Sequence, residues 1–329
     1  MQALFAEVTR IEVLRQLTNP AERRSPWLIR DWLAANRVQM TSGARGGSKT
    51  TVEVAMIAAS IKGEQFLGRD VPPLRWFLIS GEQTSAELAD LFAQQDISVD
   101  ELRDRVYVVS REAGVSLGDE RWNDWLSREV ERFDPDVLVI DSVSMVCTGV
   151  DAMNYASVRG LFKTVLHPLR DKHDLTIWLA HHLRKGGGGH VEDIFGTSMW
   201  ANAADFTINL VAHGARVENE DGSLTQRCSI TRSKTSRLVT SQKPEFYEIV
   251  GTLADDGSTD RLAVQLPHVE PTTVERLVAA LDQPLGRSAL AKAVDINPTG
   301  TKFRDALSEA IESGQIVKKD SLYERGESS

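Results

Sequence analysis

Residues 43–50 run Gly43, Ala44, Arg45, Gly46, Gly47, Ser48, Lys49, Thr50, a glycine-rich stretch closing on an amine and a hydroxyl. The GxxxxGK[ST] phosphate-loop pattern is met at Gly43, Lys49 and Thr50, with Ser48 in place of its last glycine. Successive backbone N–H groups in such a loop form an anion nest, and the dipole of the following helix adds to it. Lys49 then reaches the β- and γ-phosphates of a nucleotide, the Thr50 hydroxyl serves a Mg²⁺ ion, and Thr51 continues the helix N-terminus. Two carboxylates are placed to complete this chemistry. Asp141 ends the apolar run Val137–Ile140, as a Mg²⁺-holding aspartate does, and Glu82 follows the run Trp76–Ser80, where a carboxylate orients and deprotonates a water. On their own terms, Asp141 is also a capping residue after a strand, and Glu82 a helix N-terminal acid favoured by the dipole.

These side chains need a scaffold that brings strand ends together. From Val38 to about Val250, short apolar runs alternate with helical periods, as parallel βα units do. The predicted strands are Val38–Thr41, Trp76–Ser80, Val106–Ser110, Val137–Ile140 and Thr176–Ala180. The predicted helices are Thr50–Lys62, Ser85–Gln94, Asp119–Arg132 and Ala156–Lys172. Open α/β sheets bind ligands at the carboxyl ends of their strands, which is where Gly43 and Asp141 fall. Later strands at Phe206–Val211, Ser229–Arg232 and Glu245–Val250 lack intervening helices, so an antiparallel extension is expected, with a hairpin turn at Glu220–Ser223.

Five motifs now stand in order: GARGGSKT, LISGEQTSAEL, VLVIDSVS, IWLAHHLRKGGGG and EDIFGTSMWANAADF. Over about residues 26–250 the set resembles the RepA-like hexameric helicase ATPases of the RecA-like superfamily. The resemblance implies a RecA-like core, a homo-oligomeric ring (a hexamer in the family) with shared ATP sites, and ATP with Mg²⁺ as cofactors. Carried onto this sequence, it makes Lys49 and Thr50 nucleotide-binding, Glu82 the catalytic base and Asp141 the Mg²⁺ residue. It makes His182, with His181, a γ-phosphate sensor. From the residues alone, the two histidines also fit a core pair or half of a metal site with His190. Arg184, Lys185 and the glycines after them suit a basic loop gripping single-stranded DNA in a central channel, or a plain solvated loop. The chain departs from the family at Phe195, Gly196, Thr197 and Ser198, and an arginine-finger position falls near Asp205. Arg232, Lys234 and Arg237 are the alternative residues for reaching a neighbour's γ-phosphate.

Residues 272–329 have another grammar. Helices at Thr272–Leu281, Gly286–Val294 and Thr299–Ser313 followed by a short hairpin resemble a winged helix. Lys302, Arg304, Lys318 and Lys319 are its candidate DNA contacts, although eight basic against ten acidic residues from 270 onward also suit a protein-docking module. The expected organisation is an N-terminal arm at 1–25, a RecA-like core at 26–261, a linker at 262–271 and the winged-helix-like unit.

Bulk composition sets limits on these readings. A net charge of −9, from 38 basic and 47 acidic side chains, argues against indiscriminate binding to polyanions but permits a local basic groove. Two cysteines exclude a disulfide framework and a thiolate zinc site. With no signal peptide or membrane span expected, a cytoplasmic protein with no membrane partner follows. The leading expectation is a DNA-dependent ATPase of the replicative helicase or translocase type. A recombination ATPase forming filaments, and a nucleotide-sensing DNA-binding or scaffold protein weakened by Ser48, are the alternatives.

Overall fold

A computed structural model describes residues 27–44, 46, 48–184, 194–196, 198–232, 244–254, 258–268 and 270–326. The expected arm at 1–25 lies outside them. Nine strands form the main sheet: β1 (Val38–Gly43), β2 (Trp76–Ser80), β3 (Val106–Val109), β4 (Val137–Asp141), β5 (Thr176–His182), β6 (Phe206–Glu218), β7 (Leu224–Arg232), β8 (Glu245–Leu253) and β9 (Thr259–Gln265). Their order is β9-β8-β7-β6-β1-β5-β4-β2-β3. The six strands from β6 to β3 are mutually parallel, and β6 to β9 pair antiparallel.

The parallel strands are continuous apolar runs because both faces are covered. One core cluster packs helix α1 (Lys49–Lys62) against Leu78, Val139, Trp178 and Ile208. The other packs helix α3 (Glu120–Phe133) and the long helical segment beginning with α4 (Tyr155–Leu161) against Phe77, Leu138, Ile140 and Ile177 on the opposite face. Between them, α2 (Ser85–Ala93) follows β2 and starts with a capping box from Thr84 to Glu87.

The antiparallel extension is longer than the apolar runs suggest. Strands β6 and β7 continue outward as a ribbon closed by the expected turn, where Gly222 takes a φ of 79°. Strand β9 passes Arg261, the expected end of the core, and runs to Gln265. Leu262 and Val264 face inward in a period of two, which the prolines at 267 and 271 obscure in the sequence.

Beyond the sheet lie α5 (Thr273–Ala279), β10 (Leu285–Gly286), α6 (Arg287–Ala293), α7 (Thr301–Glu312), β11 (Ile316–Lys319) and β12 (Leu322–Arg325). The three short strands pair in the order β10-β12-β11, around a core of its own that includes Leu277, Leu290, Phe303 and Leu307. Arg227 on β7 ties this unit to the sheet. Its Nη1 donates to both Glu275 oxygens at 2.7 and 2.8 Å, and its Nε donates to Glu248 at 3.3 Å. No helix among the described residues is long and apolar enough to cross a membrane.

Candidate active site

Register places the site. Gly43 pairs with His182 across β1 and β5, and Ser80 pairs with Asp141 across β2 and β4, so four strand ends form one row beneath the start of α1. At Ser48 the backbone turns through φ 67°, ψ 16°, the left-handed conformation that glycine adopts without penalty. This conformation costs a residue with a side chain about 1–2 kcal/mol. Arg45 and Gly47 of the loop lie outside the described residues.

Lys49 is buried, and its Nζ donates to the carbonyls of Gly43 (3.2 Å) and Ala44 (3.1 Å) and meets His182 Nδ1 at 3.2 Å. An ammonium only donates, so Nδ1 accepts and Nε2 carries the ring proton. His182 Nε2 lies 2.6 Å from Glu82 Oε1, which also accepts from Ser142 Oγ at 2.5 Å. These hydrogen bonds, that from His182 foremost, hold the Glu82 carboxyl down at about 2. Beside them, Thr50 Oγ1 donates to Asp141 Oδ2 at 2.5 Å. Burial pushes the Asp141 carboxyl up, and the Thr50 hydrogen bond opposes it. Thr50 and Asp141 thus offer adjacent oxygen donors, the ligand chemistry that would suit a Mg²⁺ ion.

Two more polar side chains join the cluster that the sequence reading did not single out. Gln83 accepts from Ser80 Oγ at 2.5 Å and points Nε2 at Thr50 Oγ1 from 3.5 Å. Ser142 clamps Glu82. Both adjoin residues already suspected, and only that adjacency marked them in the sequence. Gly81 is needed where β2 leaves the sheet, because a Cβ there would lie 2.7 Å from Met145 Cβ and 2.9 Å from Val146 Cγ2.

Three expectations change. His181 does not join His182: strand alternation turns it to the opposite face, where it packs edge-on to Trp200 at 5.0 Å. Burial brings its imidazole down to about 4. Arg232 is unsuited to reach a neighbour, since it is 4% exposed and its guanidinium binds Glu245 at 2.9 Å and the Asp31 carbonyl at 2.6 Å. Asp205, at the finger position, sits at the amino end of the sheet, bonded through its own N–H to the Val38 carbonyl and through Oδ2 to the Val38 N–H. That is the edge opposite the phosphate loop. Lys234 and Arg237 lie outside the described residues, as do Lys185 and His190. Arg184 is exposed and donates to the Gly196 carbonyl at 3.0 Å. Lys302, Arg304, Lys318 and Lys319 are exposed on α7 and β11, and Lys319 pairs with Glu324 at 2.6 Å.

The family model described as "AAA domain" matches residues 7–188, which takes in the phosphate loop, Glu82, Asp141 and His182. The chain belongs to this AAA domain family. The mostly parallel sheet with helices on both faces fits a RecA-like P-loop core. No curated protein matches the chain. Among solved structures, a KaiC-like protein from the hyperthermophilic archaeon Pyrococcus horikoshii OT3 is similar at 14% identity with a TM-score of 0.46, over 74% of this chain and 98% of that one. A P-loop ATPase domain of this kind implies nucleotide binding, usually with Mg²⁺.

Proposed function

We propose that this AAA-domain protein hydrolyses ATP, with Glu82 as the base, and couples hydrolysis to single-stranded DNA as a ring-forming, RepA-like helicase or translocase. The observation carrying the hydrolysis is the convergence of Lys49, His182, Ser142 and Glu82 beside the Thr50–Asp141 pair. Thr50 and Asp141 would hold Mg²⁺, which supplies charge neutralisation at the β- and γ-phosphates when bound. Lys49 and His182 now satisfy each other and Glu82; an arriving γ-phosphate offers both a stronger acceptor. As they turn to it, Glu82 Oε1 loses its His182 hydrogen bond and becomes free to accept a proton from water. The water oxygen bonds to the γ-phosphorus, the bond to the bridging oxygen breaks towards ADP, and the proton passes to Glu82.

The DNA half of the proposal draws on the basic, glycine-rich sequence that begins at Arg184 and on the C-terminal unit. The helix–strand–helix–helix–strand–strand order of that unit supports a winged-helix reading, in which α7 would be the groove-entering helix. Lys302 and Arg304 begin α7, while Asp305, Glu309 and Glu312 follow on exposed positions. DNA contact is therefore assigned to the first turn of α7 and to the hairpin.

The test is ATP hydrolysis with and without single-stranded DNA, alongside Glu82→Gln, followed by strand unwinding. Stimulation by DNA that disappears in the variant supports the motor. Nucleotide binding without turnover supports the nucleotide-sensing or scaffold reading, which the left-handed Ser48 favours.

A further inference from the structure

Glu53 follows Lys49 by four residues and Thr50 by three, so helical spacing stacks it one turn beneath both. It is 0% exposed, and neither carboxyl oxygen has a hydrogen-bond partner among the described residues. Its neighbours along α1, Val52, Val54, Met56 and Ile57, are apolar and buried, so an aliphatic side chain would suit the packing. An unpaired buried carboxyl opposes folding, and packing gives no reason for one. Burial, and then the charge of Asp141, hold its proton on, while Lys49 acts against them. Glu53 is therefore electrostatically part of the phosphate-loop cluster. Ionised, it has the wrong sign for a polyanion and the right sign for a cation, whose approach would favour loss of the proton.

We propose that Glu53 is a positioning residue for the divalent cation that accompanies the nucleotide, acting from behind Thr50 and Asp141 to set that cation's affinity. The proposal rests on reading the loop at 43–50 as a nucleotide site. Glu53 is not assigned as a ligand itself, because it is 0% exposed and lies one helical turn beneath Thr50. It would act through the charge it takes on when ionised, in the same field as Asp141 and Lys49, rather than by touching the ion.

The experiment is equilibrium binding of a fluorescent, non-hydrolysable ATP analogue to the full chain, in EDTA and across Mg²⁺ and Mn²⁺ titrations. Wild type is compared with Glu53→Gln, which keeps the shape without the charge, and with Glu53→Asp, which keeps the charge. Glu53→Gln is expected to raise the Mg²⁺ concentration for half-maximal binding roughly 10- to 100-fold, with affinity in EDTA unchanged or tighter. Glu53→Asp should recover part of that loss, which a purely structural role would not produce. An unchanged Mg²⁺ half-saturation in folded Glu53→Gln overturns the proposal and leaves the nucleotide site intact. Absence of binding by the wild type under every metal condition overturns the nucleotide site itself, and this inference with it.

Discussion

At the scale of single residues, the site is held in a satisfied resting arrangement that its substrate must disturb. Glu82 accepts from both His182 and Ser142, which is why its carboxyl sits at about 2 and is a weak base as it stands. Glu82→Gln should lower turnover by roughly 10²- to 10⁴-fold with nucleotide affinity retained, checked by steady-state hydrolysis and analogue binding. Its depressed pKa makes Glu82 stabilising above the ordinary carboxylate range, and that contribution fades as pH falls towards 2. Glu53 has the opposite sign. With its pKa raised by burial, the fold loses stability as pH rises above the unfolded carboxyl value, so Glu53→Gln should melt higher than wild type at pH 8 and equally near pH 4. Ser48→Gly should stabilise the protein by about 1 kcal/mol and tighten nucleotide binding, because it removes a left-handed residue with a side chain from the loop.

At the scale of elements, the close approach at Gly81 and the clamp at Arg227 govern how parts meet. The Cβ of a Gly81→Ala variant would meet the Cβ of Met145 rather than a yielding side-chain tip, so β2 or the Val143–Val146 turn must shift. Glu82 follows β2 directly and its partner Ser142 immediately precedes Val143, so loss of turnover should exceed loss of stability in that variant. Arg227 bridges Glu248 of the sheet and Glu275 of α5, and Glu275 also closes the capping box of Thr272. Arg227→Met leaves two partly buried carboxylates without their cation, at a cost of roughly 1.5–3 kcal/mol. Limited proteolysis should then release the C-terminal unit before the sheet unfolds.

At the scale of the whole molecule, neither position that the sequence suggested for a trans-acting charge reaches the site among the described residues, since Arg232 is locked to Glu245 and Asp205 occupies the far edge, while Arg111 donates to the Glu82 carbonyl at 3.4 Å. In the proposed ring a neighbour would supply a further cation, with Lys234 and Arg237 as the residues proposed for it. Arg237→Ala and Glu82→Gln proteins, each inactive alone, should recover part of the activity when mixed if sites are shared between subunits. Mixed protein with no more turnover than either component would count against a shared site. With a net charge of −9, the proposed binding to DNA would rest on few contacts. Arg184→Ala should then reduce the salt slope of single-strand binding by about 0.7.

The sequence by itself determined the parallel core, the phosphate loop and the carboxylates at its strand ends. Those features are local: apolar runs of four to seven residues, a glycine-rich turn, and polar residues where each run stops. The C-terminal helices were legible for the same reason, through their caps and spacing. Only the tertiary structure decided which of two adjacent histidines faces the site, because alternation fixes opposite faces but strand register and helix packing fix which face is which. It likewise decided that Arg232 is consumed by an ion pair, that β9 extends the sheet past Arg261, and that Glu53 lies buried beneath Lys49. Each of these depends on partners distant in the chain, and a pattern read along the backbone carries no record of what a side chain meets across it.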